Sequence, residues 1–135
     1  MKYVISYVSK VIATIPEGEI NSILEKAIHY NNSNGISGIL IYCEGNFFQL
    51  LEGEKEKVIE LYSQIQDDPR HSEIITIVEK PVKARDGSTG YYCELITDSS
   101  KCNSIQIEKY LSYTHILDVK SRNAVKRVFD AMIII

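Results

Sequence analysis

Apolar residues in this chain switch repeatedly between a period of two and a period near 3.6, and the order of those switches restricts the fold more than any other feature. Residues 2–8 alternate, with Tyr3, Ile5 and Tyr7 on one side and Val4, Ser6 and Val8 on the other, which predicts a strand. Pro16 and Glu17 open a helical pattern of Ile20, Ile23, Leu24, Ala27 and Ile28 that ends in the turn-favouring run Asn31-Asn32-Ser33-Asn34-Gly35. Residues 36–43 and 47–51, joined by Glu44-Gly45-Asn46, predict a β-hairpin whose second strand is broken at Glu52-Gly53. Val58, Ile59, Leu61, Tyr62 and Ile65 mark a second helix, limited at Asp67-Asp68 by Pro69. A fourth strand is expected over residues 73–79, a polar loop over 83–90 and a fifth strand over 91–97.

The resulting β-α-β-β-α-β order predicts a ferredoxin-like α+β fold, a mixed sheet with two helices on one face. The added fifth strand is followed by two C-terminal helices, over residues 104–113 and 121–133; the second carries Val125, Val128, Phe129 and Met132 at helical spacing. At 135 residues, 44% apolar and 24% charged, the chain has the size and composition of one globular domain. No apolar run approaches the about 18 residues of a membrane span. The opening Met1-Lys2-Tyr3-Val4-Ile5 reads as strand and not as a signal peptide, so a cytoplasmic location is expected. Cys43, Cys93 and Cys102 form no CxxC pair, and His29, His71 and His115 lack metal-cage spacing, so reduced thiols and no metal are expected. A net charge of −3 without a long basic stripe argues against nucleic acid as the main partner.

Function must then be sought in polar residues placed where a core prefers apolar ones. Gln49 falls on the same strand face as Phe47 and Leu51. An amide buried there without a partner costs about 1–3 kcal/mol, so either that face is partly solvated or something hydrogen-bonds Gln49. Tyr7 shares the Ile5 face, where packing is the ordinary role of a tyrosine. Asn31, at the end of the first helix, is by default a cap or turn residue. Taken together, the three lie on elements that are neighbours if the helices cover one sheet face. A phenol and two amides would then converge on one edge of a planar, polar heterocycle. An isoalloxazine edge, with C4=O, N5 and N3–H, asks for both donors and acceptors, which these groups supply.

These residues carry a resemblance to the BLUF family, blue-light sensors that use FAD. The matching segments are Tyr7-Val8-Ser9, the run from Asn31 to Gly38, Phe47-Phe48-Gln49-Leu50-Leu51-Glu52-Gly53, and Asp68-Pro69-Arg70-His71. They occur in the family's order across residues 1–97, and the third is the most specific. The resemblance implies a flavin-binding domain over residues 1–97, with residues 98–135 a helical extension packed on it. It implies that Tyr7 is the photochemical electron and proton donor, Gln49 the amide bridging Tyr7 and the flavin, and Asn31 the partner of the C4=O and N3 edge. Tyr30 falls where other members place a polar side chain beside the ring. Asp68, Arg70 and His71 form a corner that faces the ribityl or phosphate part of FAD, FMN being the other possible flavin; a diphosphate requires charge-assisted donors.

The chain departs from the family in the fifth strand, which usually carries a tryptophan and, two residues on, a methionine. This sequence has no tryptophan, and Tyr91 and Cys93 stand in those places as the expected signal relay. The mechanism that the resemblance implies is proton-coupled electron transfer rather than substrate turnover, so the chain is expected to be a sensor and not an enzyme. Gln49 ends rotated or tautomerised, with a stronger bond to C4=O and a red-shifted, thermally reversible state. The expected output is a light-dependent interaction with a downstream protein of unknown identity, gated by the terminal helices. The apolar tail, residues 132–135, either closes over the open sheet face or contributes to a homo-oligomer. Two other readings compete. An acylphosphatase-like hydrolase uses the same fold, but residues 9–14 lack a glycine-rich phosphate cradle and its arginine. A ferredoxin-like regulatory domain binding a small metabolite without photochemistry is the non-enzyme alternative.

Overall fold

The computed structural model describes residues 1–11, 15–83, 91–96, 104–114 and 117–131. The N-terminal alternation forms β1 (Lys2–Val11), and the spacing after Pro16 forms α1 (Glu17–Ser33). The hairpin is β2 (Ser37–Cys43) and β3 (Asn46–Glu54), followed by α2 (Lys55–Asp67), β4 (His71–Pro81) and β5 (Tyr91–Ile96). Two helices, α3 (Ser104–Ser112) and α4 (Val119–Phe129), complete the order expected from the periodicity. In the sheet the strands lie β4-β1-β3-β2-β5, with β5 parallel to β2 and the other pairs antiparallel. This is the ferredoxin-like order with one strand added at the β2 edge.

Three local readings are corrected. The hairpin turn is the pair Glu44-Gly45, with φ of +47° and +89°, and Asn46 already pairs with Cys43. Two consecutive positive φ values give the turn whose twist matches that of the flanking strands. Gly53 does not break β3; it pairs with Tyr3, and a Cβ at this position would stand 3.2 Å from the Gly35 carbonyl oxygen. The glycine serves close packing of the α1–β2 turn against β3. The fourth strand runs from His71 to Pro81, beyond the expected 73–79; its register with β1 shifts twice, and Glu73 sits near one shift at φ +49°. Such bulges offset the period of two and hide strand length from a pattern reading.

Burial splits the sheet's side chains into two cores. Ile5, Tyr7, Leu40 and Leu51 meet Ile20 and Leu24 of α1 and Val58 and Tyr62 of α2. Val4, Ile39, Phe48 and Leu50 face the opposite way and meet Tyr110, Leu117, Val125 and Phe129. Phe48 and Phe129 pack edge-on with centroids 4.4 Å apart. The face left open by the ferredoxin-like unit is thus closed by α3, α4 and Leu117; residues 132–135 of the tail lie outside the described residues, as do Thr97, Cys102 and His115. Among the described residues no helix is long and apolar enough to cross a membrane.

Truncating Phe129 to alanine removes a ring that is fully buried between α4 and the sheet. The expected loss is about 3–5 kcal/mol of unfolding free energy in urea titration. Ile75→Ala, at a side chain 61% exposed, should change it by less than about 0.5 kcal/mol.

Candidate functional site

Tyr7 in β1 pairs directly with Gln49 in β3, and opposed residues of an antiparallel pair share a face. The Tyr7 hydroxyl donates to Gln49 Oε1, and Gln49 Nε2 donates to the Tyr91 hydroxyl. Gln49 is 3% exposed, so the amide is buried and bonded at both ends. Its bond to Tyr91 spans β2, the strand between β3 and β5. Tyr91 pairs with Gly38, which has φ +141° and whose added Cβ would meet the Leu50 carbonyl oxygen at 1.8 Å. Only glycine fits there, because a side chain would strike the neighbouring β3 backbone.

Asn31 is not a cap. α1 continues to Ser33, and the cap is Asn34, whose N–H bonds the carbonyls of Tyr30 and Asn31. Asn31 instead extends the inward stripe Ile20–Leu24–Ala27 at helical spacing and is 2% exposed. Its side chain donates to the Tyr91 hydroxyl, whereas its Oδ1 has no partner among the described residues. Tyr7, Asn31 and Gln49 line a cavity of about 390 Å³ between the sheet and the two first helices, with Leu40, Phe47 and Ile65 among its apolar walls.

Tyr30, Asp68 and Arg70 also line this cavity, and Tyr30 is 43% exposed. The Arg70 guanidinium grips Asp68 through Nη2–Oδ2 at 2.6 Å and through Nε at 3.0 and 3.1 Å from the two carboxylate oxygens. His71 opens β4, and its side chain lies outside the described residues. Cys93 pairs with Leu40, and its thiol bonds the Leu24 carbonyl of α1 at 3.5 Å. The structure therefore brings Tyr7, Asn31, Gln49 and Tyr91 into one network, with Tyr30, Asp68 and Arg70 along the cavity and Cys93 directed to α1.

Sequence reasoning missed Lys26 and Gln64, which line the cavity, and Tyr62, whose ring lies 5.3 Å from that of Tyr7. Lys26 precedes Ala27 on a helix face shared with Ile23 and Tyr30, and that spacing was the available signal. Tyr62 also bonds Thr76 Oγ1 at 2.5 Å, which ties α2 to β4 beneath the site.

Burial pushes the Tyr7 phenol well above its ordinary value, with Tyr62 and Asp68 adding to the effect. Tyr91 is raised by burial and by Cys93 and Tyr7, against hydrogen bonds from Gln49 and Asn31 that pull it down. Desolvation pushes the Cys93 thiol up to about 12. Both phenols and the thiol therefore keep their protons near neutrality. The site offers buried phenols and amides that can donate and accept hydrogen bonds.

The profile of BLUF, sensors of blue-light using FAD, matches residues 3–89. The chain belongs to the BLUF family. It is 32% identical over 81 residues to the photoactivated adenylate cyclase subunit beta of Euglena longa, covering 60% of this chain and 9% of that one. The alpha subunit of Euglena gracilis is 33% identical over 81 residues, covering 60% and 8%. The chain therefore spans less than a tenth of these relatives. Among solved structures, BlrP1 of Klebsiella pneumoniae with calcium and cyclic di-GMP superposes with a TM-score of 0.76 at 27% identity over 97% of this chain and 34% of that one. The BlrP1 BLUF domain gives 0.71 at 26% identity over 98% and 90%. BlrP1 has also been solved with FMN and cyclic di-GMP. The family is one of blue-light sensors that use FAD.

The BLUF cavity fits a flavin ring on its own chemistry. A planar heterocycle with ring N–H groups and carbonyls would meet a buried, partnerless Asn31 Oδ1, a buried Gln49 amide and apolar walls. Unfolding returns Tyr7 and Tyr91 to their ordinary value of 10.0, so above that pH the unfolded chain sheds protons that the folded chain keeps. Stability is thus full below pH 10 and falls as pH rises past it. Thermal melts from pH 7 to 11 should show a steeper alkaline fall for the wild type than for Tyr7→Phe.

Proposed function

We propose that this BLUF domain binds FAD non-covalently in the cavity and reports blue light through Tyr7 and Gln49, with a light-dependent protein–protein interaction as output. The observation that carries the reading is the buried Tyr7–Gln49 hydrogen bond at a cavity that also holds the partnerless Asn31 Oδ1. Asn31 and Gln49 would hold the polar edge of the ring, Tyr30 would flank it, and Asp68, Arg70 and His71 would hold the ribityl or phosphate part. FMN, the flavin of one solved BlrP1 structure, would engage the same ring contacts. When bound, the flavin supplies blue-light absorption and electron acceptance.

The chain's own residues do the rest. Tyr7 gives up an electron together with its phenolic proton, and the proton moves to Gln49 Oε1 along the existing hydrogen bond. Tyr7 recovers both on recombination, and Gln49 is left rotated or tautomerised. Strand alternation supplies a route outward. Phe48, next to Gln49, touches Phe129, and Tyr92, next to Tyr91, stacks on Tyr113 at 5.6 Å beneath Lys109. Packed cores respond to such a local change by switching between discrete arrangements. Residues 98–135 then act as the extension that carries the signal to a second copy or another protein, in the cytoplasm.

The purified protein should be yellow, and an illuminated-minus-dark spectrum should show a reversible red shift. Tyr7→Phe and Gln49→Leu should keep the flavin and lose the shift; a normal photocycle in Tyr7→Phe would assign the chemistry to another residue. Asn31→Ala should weaken flavin retention about tenfold in equilibrium dialysis, one lost hydrogen bond being worth about 1.4 kcal/mol. Cys93→Met should leave the shift intact and alter dark recovery or light-dependent self-association. If it changes neither, β5 is not the output path.

A further inference from the structure

The Gln49 amide is held at both ends by phenols, Tyr7 at the oxygen and Tyr91 at the nitrogen. A phenol donates one hydrogen and accepts at its oxygen, so it can pair with either end of an amide. A tryptophan at position 91 could only donate, and a methionine could only accept weakly. We propose that Tyr91 is a positioning residue that makes the Gln49 switch two-way, accepting from Nε2 in the resting orientation and donating to Oε1 after the amide turns over. The inference rests on the Tyr7–Gln49 reading and adds to it the group that stabilises both ends of the movement.

Several features support this role over simple packing. From its place opposite Gly38, the Tyr91 side chain reaches across β2 and its hydroxyl takes the Gln49 hydrogen bond. Its hydroxyl is buried, so water does not substitute for a lost partner. The Asn31 side chain bonds the same hydroxyl, and a phenol that accepts a hydrogen bond becomes a better donor. Turning the amide over exchanges the two roles without loss: Nε2 passes from Tyr91 to Tyr7, and Oε1 passes from Tyr7 to Tyr91. Tyr7 becomes the acceptor and Tyr91 the donor. Each orientation keeps two bonds to protein, whereas the half-turned amide between them keeps neither. The hydroxyl of Tyr91 therefore stabilises both wells and not the barrier.

Tyr91→Phe keeps the ring and removes only the hydroxyl, so it tests this directly in the flavin-loaded full chain. The return to the dark state should accelerate about tenfold, with the red shift retained, because one hydrogen bond is lost from the lit well and not from the barrier. In the dark, the Gln49 side-chain NH₂ should lose its downfield, exchange-protected resonance in 15N-labelled protein. Tyr91→Trp, able to donate but not to accept, should lose the same dark resonance and yet return more slowly than Tyr91→Phe. An unchanged return rate and an unchanged Gln49 resonance in Tyr91→Phe would overturn the proposal and leave Tyr91 as packing. The dark resonance is read without light, so absence of a red shift in the wild type would sink the photochemical reading while the resonance still decides whether Tyr91 anchors Gln49.

Discussion

An amide buried on an apolar sheet face is the constraint on which this protein is built. Gln49 sits among Phe47, Leu51 and Leu40, and the cost of hiding its polar atoms is met only if both ends find partners. Those partners come from strands on either side, Tyr7 from the adjacent β1 and Tyr91 from β5 two strands away. The register of three strand pairs is therefore locked to one hydrogen-bonded chain. A slip by one residue in any of them would turn Gln49, Tyr7 or Tyr91 to the other face.

That same alternation explains how a pocket on one face can concern helices on the other. Residues adjacent in β3 or β5 point to opposite sides, so Gln49 and Phe48, or Tyr91 and Tyr92, are joined by a single peptide unit. Phe48 enters the core under α4, and Tyr92 is covered by Tyr113 and Lys109. The α4 helix is tied in turn to β4 through Lys80, which bonds Asp118 and, at 2.8 Å, Ser121. Asp118 also caps α4 by accepting from Ser121 N–H, and the two donors hold its carboxyl well below the usual range. The helix that closes the open face is thus anchored to the edge strand farthest from β5.

Much of this was legible in the sequence because it rests on period. The alternation of residues 2–8 placed Tyr7 and Ile5 on one face, and the offset of Gln49 from Phe47 marked a polar group where an apolar one was due. The order of elements followed from the same counting. What stayed hidden depends on contacts between distant segments. Asn31 looked like a cap because it heads a polar run, yet its spacing from Ala27 makes it the last inward residue of α1. Gly53 looked like a breaker because a glycine's reason for being small lies in its neighbour, here the Gly35 carbonyl. The Tyr91–Gln49 bond could not be read from either strand, since it depends on β5 pairing parallel to β2 with Tyr91 opposite Gly38.

Among the described residues two buried side-chain oxygens lack hydrogen-bond partners, and they differ in what surrounds them. Ser6 Oγ lies on the face toward α3 and α4, where it lines no described cavity, and a small hydroxyl on that side asks for nothing larger than itself. Asn31 lines the cavity together with Gln49, and its side chain already serves Tyr91. Truncating Asn31 would relieve the orphaned carbonyl but would also strip a donor from Tyr91, which is why the residue is tolerated with one valence unmet. Along the Tyr7–Gln49–Tyr91–Asn31 chain both ends of the Gln49 amide are bonded, whereas Asn31 Oδ1 has no partner among the described residues. A ligand presenting a hydrogen-bond donor at that point completes the network, and an aliphatic ligand of the same size would leave it incomplete.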